Sequence, residues 1–336
     1  MGANMSDIVE AIENCIGNNA VLKGESVKQR ISVWGTNQPM EALAIVRPKN
    51  TDEVSSVLKL CNEQSQPIVP QGGMTGLVKA GMPNSSEIAF SLERMNSIID
   101  VDFDTATMTV EAGVTLQEAQ EAADAHGLML PLDLGARGSA TIGGNLSTNA
   151  GGNRVIRYGM TREMVLGVEA VLADGTILSS LNKVLKNNTG YDLKQLFIGG
   201  EGTLGIITKA VLRLRPKPKS ENTAFVSVND FNNVVKLLRS LEVSLSGSLS
   251  AFEVMWSSAY RVLTGDHSHN SRPFPVEASH FVLVEALGGD PATDKDRFEN
   301  ALGEALQSGL VTDALVAQSE SERKSFWNIR DDIPAI

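Results

Sequence analysis

The chain has 336 residues, a formal net charge of −11, 42% hydrophobic residues and 21% charged ones. That length and apolar content suffice for two domains with real cores, and the acidic balance argues against non-specific nucleic-acid binding. No apolar run approaches the ~18 residues of a membrane-spanning helix, so no transmembrane segment is expected.

Residues 1–40 read as an N-terminal segment that is neither a secretory signal nor an Arg-rich, acid-poor transit peptide. Gly2 with Ser6 matches an N-myristoylation pattern only as chance would. Cys15 and Cys61 are too few for a disulfide framework. Cytoplasmic, reduced thiols are therefore expected. Asn50 reads as the cap of a helix running to about Glu63, with Glu53 closing a capping box and Val54, Val57, Leu58 and Cys61 on one face. Thr115 and Glu118 form a second capping box, opening a helix to about His126. Short strand-like runs lie at 67–69, 87–92, 107–110, 165–172 and 206–214, and Asp174-Gly175 reads as a hairpin turn. Lys217-Pro218-Lys219-Ser220 reads as a linker. Beyond it come a strand at 224–228, a helix at 231–241, a strand at 249–254, a helix, a strand at 280–287, a helix at 294–307 and a strand at 311–316. That order is ferredoxin-like. A last helix runs from about Ser319 to Arg330. The expected layout is an α+β domain over 41–219 and a second domain over 220–336.

Two glycine-rich stretches stand out. Residues 67–76 read Pro-Ile-Val-Pro-Gln-Gly-Gly-Met-Thr-Gly, and residues 131–152 carry Gly135, Gly138, Gly143, Gly144, Gly151 and Gly152. A third lies at 199–205. Consecutive amides in such loops form anion-binding concavities, and glycine permits close backbone approach. Neither stretch matches the Rossmann or P-loop pattern.

Four segments, 70–76, 131–152, 188–208 and Arg-Pro-Lys-Pro at 215–218, resemble the FAD-linked oxidase family. Its flavin domain is of the p-cresol methylhydroxylase/vanillyl-alcohol-oxidase type. Leu132-Asp-Leu-Gly-Ala-Arg-Gly-Ser139 looks most like the D-2-hydroxyglutarate dehydrogenase branch. The resemblance implies a two-part FAD-binding domain followed by a ferredoxin-like cap domain. It also implies oxidation of a D-2-hydroxy acid to the 2-oxo acid by hydride transfer to flavin N5. D-lactate dehydrogenase and the glycolate oxidase flavin subunit are the enzymic alternatives; a flavin-binding module with little turnover is the other.

The resemblance assigns FAD contacts to Pro70, Gln71, Gly72, Gly73, Met74, Thr75, Gly76 and Leu77. It extends them to Pro131, Leu132, Leu134, Gly138, Ser139, Ile142, Gly143, Gly144, Asn145, Thr148, Asn149, Gly151 and Gly152, and to Glu201, Gly202, Ile206 and Ile207. Arg154, Arg157 and Tyr158 follow, with cofactor contact and ordinary packing both open. Residues 70–76 hold no His or Cys, so FAD is expected to be non-covalent. Arg330 is expected to pair with a substrate carboxylate. His267 and His269 read as a solvated loop, and His126 and His280 as structural. No metal ligand is assigned. The resemblance places the proton acceptor and a metal such as zinc in a segment beyond Ile336, so the chain is expected to be C-terminally incomplete. The implied partners are a small D-2-hydroxy acid and an electron acceptor such as electron-transfer flavoprotein, a quinone or a dye; a homodimer is left open.

Overall fold

The computed structural model describes residues 5–32 and 35–333, so Gly2 and Ile336 lie outside it. Contacts divide the chain into two compact units. The first comprises the residues up to Ala150 with Met160–Pro216; the second comprises Gly151–Gly159 and the residues from Lys217 onward. The short stretch Gly151–Gly159 thus belongs with a sheet far along the sequence.

In the first unit, Ala44–Val46, Ile88–Ser91 and Ile68–Gln71 form a parallel sheet in that spatial order, with Val21–Leu22 antiparallel at one edge. The central strands Ala44–Val46 and Ile88–Ser91 are buried runs rather than alternating ones, as strands covered on both faces require, whereas the edge strand Ile68–Gln71 is half-buried up to Gln71. The helix Thr51–Glu63 packs Val54, Val57, Leu58 and Cys61 into the core they share with Ile88 and Phe90. Asn50 accepts from the Glu53 amide, but the Glu53 carboxylate bonds the Lys49 amide, so the expected capping box is only half formed. At Thr115 both halves are present.

A five-stranded antiparallel sheet follows, ordered Ile98–Asp102, Thr107–Glu111, Ile206–Arg213, Val165–Val171, Ile177–Ser180. The hairpin at Asp174-Gly175 closes with Gly175 at φ +86°, its amide on the Leu172 carbonyl. Glycine occupies that left-handed position without the clash a side chain meets. A buried polar hub joins the Thr51–Glu63 helix to this sheet. Glu169 accepts from the Thr51 hydroxyl at 2.6 Å, the Thr208 hydroxyl at 2.9 Å and the Lys209 ammonium at 3.0 Å. Burial opposes ionisation of Glu169, yet these donors hold its carboxyl below the usual range.

In the second unit, Ser220–Val228, Leu249–Trp256, His280–Gly288 and Asp313–Val316 form an antiparallel sheet. Numbered along the unit, the spatial order is 2-3-1-4, the ferredoxin-like arrangement. Strand formation begins at Ser220, inside the expected linker. The helices Phe231–Ser244 and Pro291–Gln307 bury Leu237, Leu241, Phe298 and Leu302 in one core. The helix Glu320–Asp331 buries Phe326 and Ile329 against Phe225 and Leu283 in another.

Candidate functional site

The first unit brings the glycine-rich stretches together, and the reason is steric. A Cβ built on Gly73 would stand 1.7 Å from the Ser139 carbonyl oxygen, and one on Gly72 would stand 2.7 Å from Thr141 Oγ1. Only glycine allows residues 72–73 to cross residues 139–144 at this distance. These glycines serve loop-on-loop packing before any phosphate is considered. Gly76 is different, because nothing lies within 4 Å of its Cβ position. The third stretch is tied in by the Glu201 amide on the Ser147 carbonyl at 2.8 Å, and Gly202 sits against the Pro70 ring.

The crossing encloses a cavity of about 300 Å³. Of the expected FAD contacts, it is lined by Pro70, Gln71, Gly72, Gly73, Met74, Thr75 and Gly76 from the first loop. Gly143, Gly144, Asn145 and Thr148 come from the second, and Glu201, Gly202, Ile206 and Ile207 from the third. A neighbouring cavity of about 550 Å³ shares Gln71, Gly72, Gly73 and Met74 and adds Ser139. Both volumes suit small-molecule sites.

The polar lining is arranged to donate. Among the described residues, no backbone amide from Gly72 to Gly76 has a hydrogen-bond partner. The Asn145 side-chain nitrogen is buried, faces no acceptor, and belongs to a residue of the cavity wall. A buried unpaired donor costs about 1–3 kcal/mol, which a bound acceptor would recover. Met74 at φ +54° and Glu201 at φ +51° hold left-handed backbone conformations on the wall, a strain that clusters at ligand clamps. An acceptor-rich group such as the diphosphate of FAD fits this donor set.

Several expected contacts are engaged elsewhere. The Gln71 amide donates to the Gly81 carbonyl at 2.9 Å and so ties down the turn beyond the loop. The Thr148 hydroxyl bonds the Gly144 carbonyl, and the Asn149 side chain accepts from the Arg162 amide. Leu132 and Ile142 are core residues, and Leu77 is 68% exposed. Neither these three nor Pro131, Leu134, Gly138 and Asn149 line the two cavities. Gly151 and Gly152 fall in the second unit.

There Arg154, Arg157 and Tyr158 make contacts within the second unit. Arg154 forms a two-point pair with the buried Glu285, at 2.9 and 3.2 Å, and Ser250 donates to the same carboxylate. Arg157 donates to the Ser248 and Leu287 carbonyls and lies over the Tyr158 ring. Arg330, on the Glu320–Asp331 helix, bonds Glu253 through Nε at 2.8 Å. His269 meets Asp332 at 3.1 Å while largely exposed, His126 bonds the Ala122 carbonyl, and His280 packs among Phe231 and Trp256. Among the described residues, no group of three or more His, Cys, Asp or Glu is placed to hold a metal, and no helix is long and apolar enough to cross a membrane.

Residues 42–180 match the model of an FAD binding domain, and residues 217–336 that of the C-terminal domain of FAD linked oxidases. The chain belongs to the FAD-linked oxidases. It is 43% identical, over 98% of its length, to a probable mitochondrial D-2-hydroxyglutarate dehydrogenase of Oryza sativa subsp. japonica, of which it spans 59%. It is 35% identical, over 98% of its length, to the D-2-hydroxyglutarate–pyruvate transhydrogenase of Saccharomyces cerevisiae, of which it spans 67%. In fold it resembles p-cresol methylhydroxylase, with a TM-score of 0.74 at 18% identity over 97% of this chain and 68% of that one. The expected cytoplasmic location is overturned. The relatives from Oryza sativa, Arabidopsis thaliana and Bos taurus are named mitochondrial, which points to mitochondria. Two cysteines too few for a disulfide framework report a reducing environment and not which compartment supplies it, which is why they misled here.

Proposed function

We propose that the protein to which this chain belongs oxidises a D-2-hydroxy acid to the 2-oxo acid, D-2-hydroxyglutarate first, with FAD held non-covalently in the first unit. The observation that carries this reading is the row of open amides at Gly72–Gly76 beside the unpaired Asn145 nitrogen. Relatives named for that substrate match along nearly the whole chain. When bound, the flavin supplies the hydride acceptor.

This chain's residues supply holding and orientation. The open amides of the first loop and the Asn145 side chain bind cofactor oxygens, while Ile206 and Ile207 offer apolar wall. Arg330 grips a substrate carboxylate. Glu253 occupies its Nε and Asp331 lies 3.7 Å from one terminal nitrogen, so the other terminal nitrogen is the one offered to the substrate. The proton acceptor and a zinc site belong, in this reading, to the part of the relatives' length that this chain does not span. Electrons then pass to electron-transfer flavoprotein or a quinone.

The test is the flavin spectrum of the full-length protein, followed by anaerobic addition of D-2-hydroxyglutarate, D-lactate, glycolate and the L-enantiomers. Bleaching fastest with D-2-hydroxyglutarate is expected. Faster bleaching by D-lactate would favour the activity in the name of a Schizosaccharomyces pombe relative, a putative D-lactate dehydrogenase that is 41% identical. Protein that carries no flavin, or flavin that no 2-hydroxy acid reduces, would overturn the proposal.

A further inference from the structure

We infer that Lys79 is the cation that binds the diphosphate of the cofactor, an inference that rests on the FAD reading above. Lys79 and Glu201 are the charged residues among the described residues that line this cavity. The two are not joined by an ion pair, and Lys79 has no hydrogen bond or ion pair from its ammonium to any described residue. Other lysines of the fold are matched with a carboxylate, as Lys183 is with Asp100 and Lys194 with Asp192.

The backbone singles out the same residue. Lys79 sits at φ +63°, a left-handed conformation that disfavours any side chain with a Cβ. The turn it begins is closed by the Met82 amide on the Lys79 carbonyl at 3.1 Å. Glycine would make that turn without strain, so the turn itself gives no reason for lysine; a ligand that needs its charge does. The turn is also held in place, because the buried Gln71 donates to the Gly81 carbonyl at 2.9 Å. Gln71 ends the strand from which the open amides spring. One short segment therefore presents five neutral donors and, a few residues on, one cation. Neutral amides orient phosphate oxygens, and an ammonium adds the charge-assisted bond they cannot supply.

The experiment uses the full-length protein stripped of flavin and titrated with FAD, following quenching of flavin fluorescence at low and high NaCl. Lys79→Gln is expected to raise the FAD Kd roughly fivefold at low salt, since a partly exposed pair contributes up to about one such factor. It should also flatten the rise of Kd with NaCl. Lys79→Arg should stay close to wild type. Lys79→Gly should lose the same affinity while its flavin-free form melts no lower than wild type, because the backbone strain is relieved. Riboflavin, which has no phosphate, should bind wild type and Lys79→Gln alike. Equal FAD affinity and equal salt dependence in wild type and Lys79→Gln would overturn the inference while leaving the FAD reading intact. An equal loss for riboflavin would overturn the assignment to the diphosphate. Wild-type protein that binds no FAD would overturn the FAD reading and this inference with it.

Discussion

Gly73→Ala probes the crossing of the two glycine-rich loops. The added methyl would stand 1.7 Å from the Ser139 carbonyl oxygen, 2.5 Å from the Ser139 carbonyl carbon and 3.0 Å from Ala140 Cα. All three obstacles are backbone, so no rotamer change relieves them, and one loop must move by more than an ångström. Overpacking a well-packed interior costs about 1–3 kcal/mol, and a main-chain obstacle puts this site toward the upper end. At about 2–4 °C per kcal/mol for a unit of this size, the melting temperature should fall by roughly 5–12 °C. Because the displaced loops carry the open amides, FAD affinity should fall with it. The control is Gly76→Val, which meets nothing within 4 Å and lines the same cavity. It should leave the melting temperature of the flavin-free protein within a degree or two while lowering FAD affinity, because its side chain takes the space of the ligand. Thermal melts with and without FAD, and an FAD titration, read both variants. A Gly73→Ala protein that melts and binds like wild type would refute the steric argument. A Gly76→Val protein with undiminished FAD affinity would remove that position from the binding surface.

The Glu169 hub makes a pH prediction. Its carboxyl is held below the usual range in the folded state, so its stabilisation is full above the unfolded value and fades as pH falls through the folded one. Glu169→Gln should therefore cost about 1–3 kcal/mol at neutral pH and flatten the acid limb of a urea-melt series below about pH 4.5; an unchanged acid limb would place the acid sensitivity elsewhere. In the full-length protein Arg330→Ala should lower kcat/KM for a D-2-hydroxy acid by about 30- to 1000-fold, from the roughly 2–4 kcal/mol of a charge-assisted pair; unchanged kinetics would make Arg330 only the partner of Glu253. Burial pushes the Cys61 thiol up to about 12, so a thiol reagent at pH 8 should modify the exposed Cys15 and leave Cys61 intact until the protein is unfolded; modification of both at one rate would contradict the packing of the Thr51–Glu63 helix.

Most elements were legible in the sequence because their signals are local. Thr115 and Glu118 cap a helix through bonds only three residues apart, and Val54, Val57, Leu58 and Cys61 declare their face by spacing alone. The ferredoxin-like order was readable for the same reason, since each strand and helix announces itself before any of them pair. The two glycine-rich loops could be named as a candidate cofactor cradle, but their steric purpose could not, because Gly73 meets Ser139 only across a long separation in the chain. A lysine such as Lys79 after a glycine loop is unremarkable until its backbone angle and its place on the cavity wall are known; its closeness in sequence to the loop is the signal the chain offers. The second unit's capture of Gly151–Gly159 had none. Arg154 finds Glu285 more than a hundred residues away, and whether an arginine grips a cofactor or a buried carboxylate depends on which partner folding brings within 3 Å. Local bonding and periodicity are written along the chain, whereas the close approach of distant backbones and the pairing of distant charges exist only once the tertiary structure has formed.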